Sequence, residues 1–313
     1  SGGDITFDAA LAGGTITLSS GQLDIDSSVN IDATDIGGMI VSGGNNSRVF
    51  NIGAAATVAM TQLTISDGAG APQGGGIFNA GTLNLSQVTV SNNTESSPGG
   101  ANFMFAGGGI YVAEGATLNM IDSTVANNTT QNHDGGGLYA AVGSTSTIVR
   151  STFSGNFAGN VGGAMRLLGN ATIANSTISG NTSNAWHGGA VFVTDGVVTI
   201  SQSTIANNLS DPTGINVDVN EADVFVGTFT AAPATLILEN TIISDESTNC
   251  FVAPFGGGAV TLTADSNNVF TDGSCNSGAS DQVVTDAGIE ALADNGGPTQ
   301  THALLSSSPA IDN

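Results

Sequence analysis

The chain has no lysine, and its 313 residues carry three arginines, Arg48, Arg150 and Arg166, against 26 acids. A formal net charge of −23 repels phosphate backbones and anionic lipid headgroups. That excludes nucleic acid as a partner and polybasic attachment to a membrane. No stretch approaches the ~18 consecutive apolar residues of a spanning helix, so direct membrane insertion is not expected. Charged residues are 9% of the chain, far below the usual quarter or so, and aromatic residues are 5%. There are two cysteines, Cys250 and Cys275, and three histidines, and no Cys/His spacing resembles a zinc site. No signal peptide is visible; the opening SGGDITF is that expected of a mature exported chain or a trimmed one.

What fills the space is glycine, 45 residues of it, with serine, threonine, asparagine and alanine. The hydrophobic content of 40%, in regularly spaced Val, Ile and Leu, is enough for a core and excludes a disordered chain. Self-comparison shows three elements in fixed order. A glycine-led strand recurs as GGGIF (74–78), GGGIY (107–111), GGGLY (135–139), GGAMR (162–166) and GGAVF (188–192), at steps of 33, 28, 27 and 26. A threonine-rich strand follows, as in TLNLSQ (82–87), TLNMID (117–122) and VVTISQ (197–202). A third follows almost at once, as in VTVSNN (88–93), STVANN (123–128) and STIANN (203–208).

A period in this range marks a solenoid or array. No unit holds a helix-length apolar period, which argues against leucine-rich, ankyrin and tetratricopeptide repeats. A propeller blade needs four antiparallel strands in ~40–45 residues, more than these units contain. The expected fold is therefore all-β: a parallel β-helix of about ten coils with three strands per coil. The coils are expected from near residue 13 to about 270, as a rod about 50 Å long at a rung spacing of ~4.8 Å. One β-helix domain spans 1–313, with degenerate coils over 1–70, regular repeats over 71–245, and last coils with a closing segment over 246–313. The asparagines of the repeat (Asn92, Asn93, Asn127, Asn128, Asn156, Asn181, Asn207 and Asn208) read as corner residues that tolerate left-handed backbone.

Taken together, GGTITLSSGQLDIDSSVNI, NNSRVFNI, TQLTISDG and GTLNLSQVTVSNN resemble bacterial right-handed parallel β-helix surface proteins of the CSLREA and choice-of-anchor Q type, which implies a right-handed coil here. The terminal DNGGPTQTHALLSSSPAIDN (294–313) is the most specific match. Phe153-Ser-Gly-Asn156 and Gly188-Gly-Ala-Val191 are also similar to the repeats of polymorphic outer-membrane proteins. Both resemblances imply an extracellular or cell-surface β-helix, the second implies adhesion, and neither implies a catalytic site. The CSLREA helix and a sorting tail are not in this sequence. An uncovered first coil would be a sheet edge, so end-to-end stacking into fibres is an expectation. Cys250 and Cys275 are 25 residues apart, about one coil, and the first family often carries a cysteine pair around the segment matching Asn267 and Phe270. A disulfide between neighbouring rungs is expected, and with it an oxidising setting.

Candidate sites are few. The fifth position of the glycine-led strand reads Phe78, Tyr111, Tyr139, Arg166, Phe192, and the fourth is wholly aliphatic. Alternation sends the aliphatic column inward and the aromatic column outward, either as a strip that stacks on sugar rings or packs on a partner, or as a stripe covered by the chain's own loops or used only for cross-strand pairing. If the chain were an enzyme, Tyr139, Arg166, His187 and Asp134 would be the candidate set, since acid–base work on a uronate needs a cation, a base and an acid. Asp211, Asp218, Glu221 and Asp223 gather oxygen ligands that could hold Ca²⁺, at a spacing that matches no EF-hand or calcium repeat. His133 and His302 read as hydrogen-bonded structural histidines. The function expected is a structural or adhesive surface module, self-associating or bound to a surface glycan or protein. A polysaccharide lyase or glycoside hydrolase is the alternative, and a calcium-dependent glycan-binding module the third.

Overall fold

Glycine decides where each coil can turn. In the computed structural model, which describes residues 2–95, 106–184, 187–211, 222–244, 248–264, 266–275 and 278–311, Gly107, Gly135 and Gly162 take φ of 68°, 68° and 71°. A side chain is strained in that left-handed region. A Cβ on the next residue, Gly136, would collide with the Gly163 carbonyl oxygen of the following rung. The third position accepts alanine: Ala164 and Ala190 are fully buried there. The Gly-Gly-Gly/Ala pattern thus meets two separate demands, a positive φ and a close rung-to-rung approach.

The chain winds as a right-handed parallel β-helix of about nine turns, close to the ten expected. Among the described residues the glycine-led sheet has nine strands, from Leu23–Ile25 to Thr248–Pro254. The threonine-rich sheet has ten, from Gly3–Thr6 to Val260–Ala264, and the third sheet eleven, from Thr15–Thr17 to Gln282–Val283. All pairing in these sheets is parallel, and the first strand lies ahead of the expected start near residue 13. Five coils add a two-residue strand, Thr94–Glu95 to Leu209–Ser210, making a short fourth sheet. Two residues carry no alternation, so the sequence pattern does not announce it.

Strict register turns each repeat position into a column. Ile77, Ile110, Leu138, Met165 and Val191 pair in sequence and are all fully buried. They belong to one apolar core running from Ile31 to Cys275. The asparagines divide into two roles. Asn92, Asn127 and Asn207 take φ of 57°, 56° and 57° and turn the corner, a role that Gly155 and Gly180 fill in other coils. The residue after each, Asn93, Asn128, Asn156, Asn181 or Asn208, points inward. There each Nδ2 donates to the Oδ1 of the next rung at 2.9–3.0 Å, from Asn93 through to Asn208. A parallel spine is made by Ser123, Ser151, Ser176 and Ser203, whose hydroxyls accept from the backbone N–H one rung below.

After Val283 the closing segment leaves the helical path. An antiparallel hairpin, Ile289–Ala293 and Thr301–Leu304, folds back along the outer side of the third sheet. Thr152 Oγ1 donates to the Gln300 carbonyl at 2.6 Å. His302 Nδ1 donates to the Glu290 carbonyl at 2.6 Å, and its Nε2 is bonded to Ser179 Oγ at 2.9 Å. His133 is likewise bonded, Nδ1 to Glu95 Oε2 at 2.8 Å. Cys250 and Cys275 form the expected disulfide, with Cα atoms 4.8 Å apart.

Two stability outcomes follow from these contacts. Asn156→Ala removes the side-chain partner of the Val125 carbonyl and of the Asn128 backbone and side-chain amides, while Asn181 Oδ1 keeps its bond from the backbone N–H of residue 156. At about 1–3 kcal/mol for each buried group left unmade, the expected loss in urea unfolding is at least about 3 kcal/mol. Replacing both cysteines with serine opens a loop spanning 25 residues, and the expected loss is about 2–4 kcal/mol. Reduction of the unmodified protein should lower its melting temperature to that of the double variant.

Candidate functional site

In the glycine-led sheet the fourth position enters the core and the fifth points away from it. Register pairs Phe78, Tyr111, Tyr139, Arg166 and Phe192 in one column. Two further rungs extend it, Phe225 and Phe251. Parallel coils place identical positions one rung apart, close to the stacking distance of aromatic rings. Phe78 stacks on Tyr111 at 5.3 Å between centroids, Tyr111 on Tyr139 at 5.2 Å, and Phe192 on Phe225 at 4.0 Å. The Arg166 guanidinium sits 4.5 Å from the Phe192 centroid, and Arg48 closes the other end 5.1 Å from Phe78.

Of the two sequence readings, burial along the column agrees with the covered stripe. Tyr111, Tyr139, Arg166 and Phe192 are only 7%, 1%, 5% and 1% exposed, and Phe78 is half-buried. Ring covers ring from Phe78 to Tyr139 and from Phe192 to Phe225, with the Arg166 guanidinium over Phe192 between them. The chain's own apolar side chains seal the flanks, Ala141 and Leu168 beside the tyrosines and Val161 and Ala253 beside the phenylalanines. A sugar cannot stack on a face that is already stacked.

Charge inside the column is neutralised locally. Arg166 Nε donates to Asp134 Oδ2 at 3.1 Å, and Asn160 Nδ2 donates to Asp134 Oδ1 at 2.6 Å. Burial pushes the Asp134 carboxyl above its ordinary range, against the pull of Arg166 and Asn160. Burial also drives the Tyr139 phenol far upward, so it stays protonated. Of the candidate catalytic set the structure brings Tyr139, Arg166 and Asp134 together. His187 stands elsewhere, stacked on Phe225 at 5.3 Å and Phe251 at 4.6 Å, rings two and three rungs beyond Arg166. The other arginines are also engaged: Arg48 donates to the Gln73 and Gly74 carbonyls, and Arg150 pairs with Asp122 at 2.7 Å.

Of the acidic stretch, Asp211 and Asp223 are both buried. Asp218 and Glu221, the remaining Ca²⁺ candidates, lie outside the described residues. Among the described residues no three His, Cys, Asp or Glu side chains converge on a point that could hold a metal.

Sequence reasoning missed where the column becomes accessible. Phe229 and Phe255 are 49% and 56% exposed, with ring centroids 5.5 Å apart. Phe229 also stacks on Phe192, and Phe255 on Phe225, at 6.2 and 6.3 Å. The signal was present: Phe225 and Phe251, like Phe229 and Phe255, recur one coil apart. It was hidden because these strands, EADVFV and TNCFVA, have lost the leading glycines.

The pair Asp134–Arg166 yields an outcome with a definite sign. A carboxyl held above its ordinary value of 3.8 keeps its proton in the fold at pH values where the unfolded chain has released it. Its contribution to stability therefore falls as pH rises through that window. Arg166→Met removes the cation that pulls the carboxyl down, and the expected loss is about 3–5 kcal/mol near neutral pH. That loss should shrink as pH falls. The double variant Asp134→Asn with Arg166→Met should recover most of it, in denaturant unfolding at pH 7 and pH 5.

Compared with known proteins, the chain matches no family model, and no curated protein or solved structure is significantly similar to it.

Proposed function

We propose that this chain is an exported, non-catalytic β-helix rod that acts as a structural and adhesive surface module. The observation that carries this reading is the state of the polar cluster. Arg166, Asp134 and Tyr139 are buried, and the arginine is spent on an ion pair and a ring contact. Acid–base catalysis needs such groups within reach of a substrate proton. Here they hold one rung to the next.

Two further features support a surface setting. A disulfide suits an oxidising compartment, and a rod locked by internal amide and hydroxyl ladders is suited to projecting from a surface. No helix among the described residues is long and apolar enough to cross a membrane. The motif resemblance to CSLREA, choice-of-anchor Q and polymorphic outer-membrane sequences points the same way.

The test is incubation with alginate, pectin, chondroitin and neutral glycans, assayed for unsaturated and reducing ends. No turnover is expected, and electron microscopy of the native particle should show rods, alone or joined. Turnover that Tyr139→Phe or Arg166→Ala abolishes would instead establish a polysaccharide lyase or hydrolase.

A further inference from the structure

The aromatic column is sealed along most of its length and opens at one end. Phe229 and Phe255 there stack on each other at 5.5 Å yet still present about half of their surface to solvent, where Tyr111 and Tyr139 are sealed. Thr230, the residue after Phe229, donates from Oγ1 to Asp195 Oδ1 at 3.3 Å. That bond ties the platform to a shallow groove of about 310 Å³ at the corner of the helix. Val142, Leu168, Val197 and Pro233 give the groove apolar walls, and Asp195 and Asn170 supply its polar groups. Asn170 and Val197 also line a second groove of about 280 Å³, which continues over Thr145, Thr172 and Thr199 of the threonine-rich sheet.

We propose that Phe229, Phe255 and the Asp195 groove bind a neutral polysaccharide chain, which then runs onto the threonine-rich face. The proposal deepens the surface-module reading and rests on it. The aromatic faces fit the C–H face of a sugar ring, and a carboxylate beside them fits paired hydroxyl donors. Asp195, 7% exposed in the groove wall, accepts from Thr230 on one oxygen. Charge selects among glycans. All three arginines are held in internal contacts, at Gln73 and Gly74, at Asp122 and at Asp134. A uronate or sulfate would find no cation free to meet it, on a chain of net charge −23. The hydroxyl- and amide-lined continuation favours a polymer over a single sugar.

The experiment is calorimetric titration of the full chain with cellohexaose, xylohexaose and mannohexaose, against a hexamer of alginate. At least one neutral hexamer should bind, more tightly than its disaccharide, and the alginate hexamer should not. Phe255→Ala, Phe229→Ala and Asp195→Asn should each weaken binding at least ten-fold, while Phe255→Tyr retains it, with melting curves confirming that each variant is folded. Absence of binding to every neutral hexamer overturns the site, as does tighter binding of alginate or binding unaffected by the three variants. A protein that still adheres to surfaces without binding these sugars would leave the module reading intact. Cleavage of a bound hexamer would overturn that reading and leave the site standing.

Discussion

The asparagine ladder is the constraint on which the rest of the rod depends. Inside the corner of five successive coils, one amide group satisfies both its donors and its acceptor within the stack. Asn156, for example, donates to Asn181 Oδ1 and to the Val125 carbonyl, and accepts from the amide and side chain of Asn128. An amide enclosed in a core is costly unless every group is paired, and from Asn93 to Asn181 the pairing comes from neighbouring rungs held in strict register. The ladder therefore specifies register more sharply than the aliphatic columns, which tolerate Val, Ile, Leu and Met in turn. The left-handed residues just before it, Asn92, Asn127, Gly155, Gly180 and Asn207, set the turn that aims each amide inward.

The same translation that aligns the amides also stacks the rings. Once coils are held one rung apart, any side chain repeated at an outward position meets its own copy. For phenylalanine and tyrosine that contact is favourable, so the outward column becomes a second, smaller core rather than a recognition surface. Arg166 enters this column as a flat cation between Tyr139 and Phe192, and Asp134 on the preceding loop balances its charge. A residue scarce in the whole chain is thus used as a structural rung. Ring surface is left open past the sealed stretch, where Phe229 and Phe255 extend beyond the regular repeats.

Much of this was legible in the residues alone. The glycine-led, threonine-rich and third strands recur in fixed order, and alternation within each separates core from outside. The Cys250–Cys275 spacing of one coil reads directly as neighbouring rungs. Other features were not legible, for reasons that are physical. The two-residue strands of the fourth sheet carry no pattern. The closing hairpin is recognisable as a segment, yet its docking through His302 and Thr152 depends on residues more than a hundred positions away. His187 shares a glycine-led repeat with Phe192 but stacks on Phe225 and Phe251, because a loop side chain is placed by what it packs against.

The period, the alternation and the requirement for glycine at the turns are properties of neighbouring residues along the chain, and the sequence by itself determined a coiled, all-β solenoid from them. Whether an outward position is open to solvent is a different kind of property. It depends on the next rung and on loops that cross it, so only the tertiary structure decided that Tyr139 and Arg166 are sealed while Phe229 and Phe255 are open.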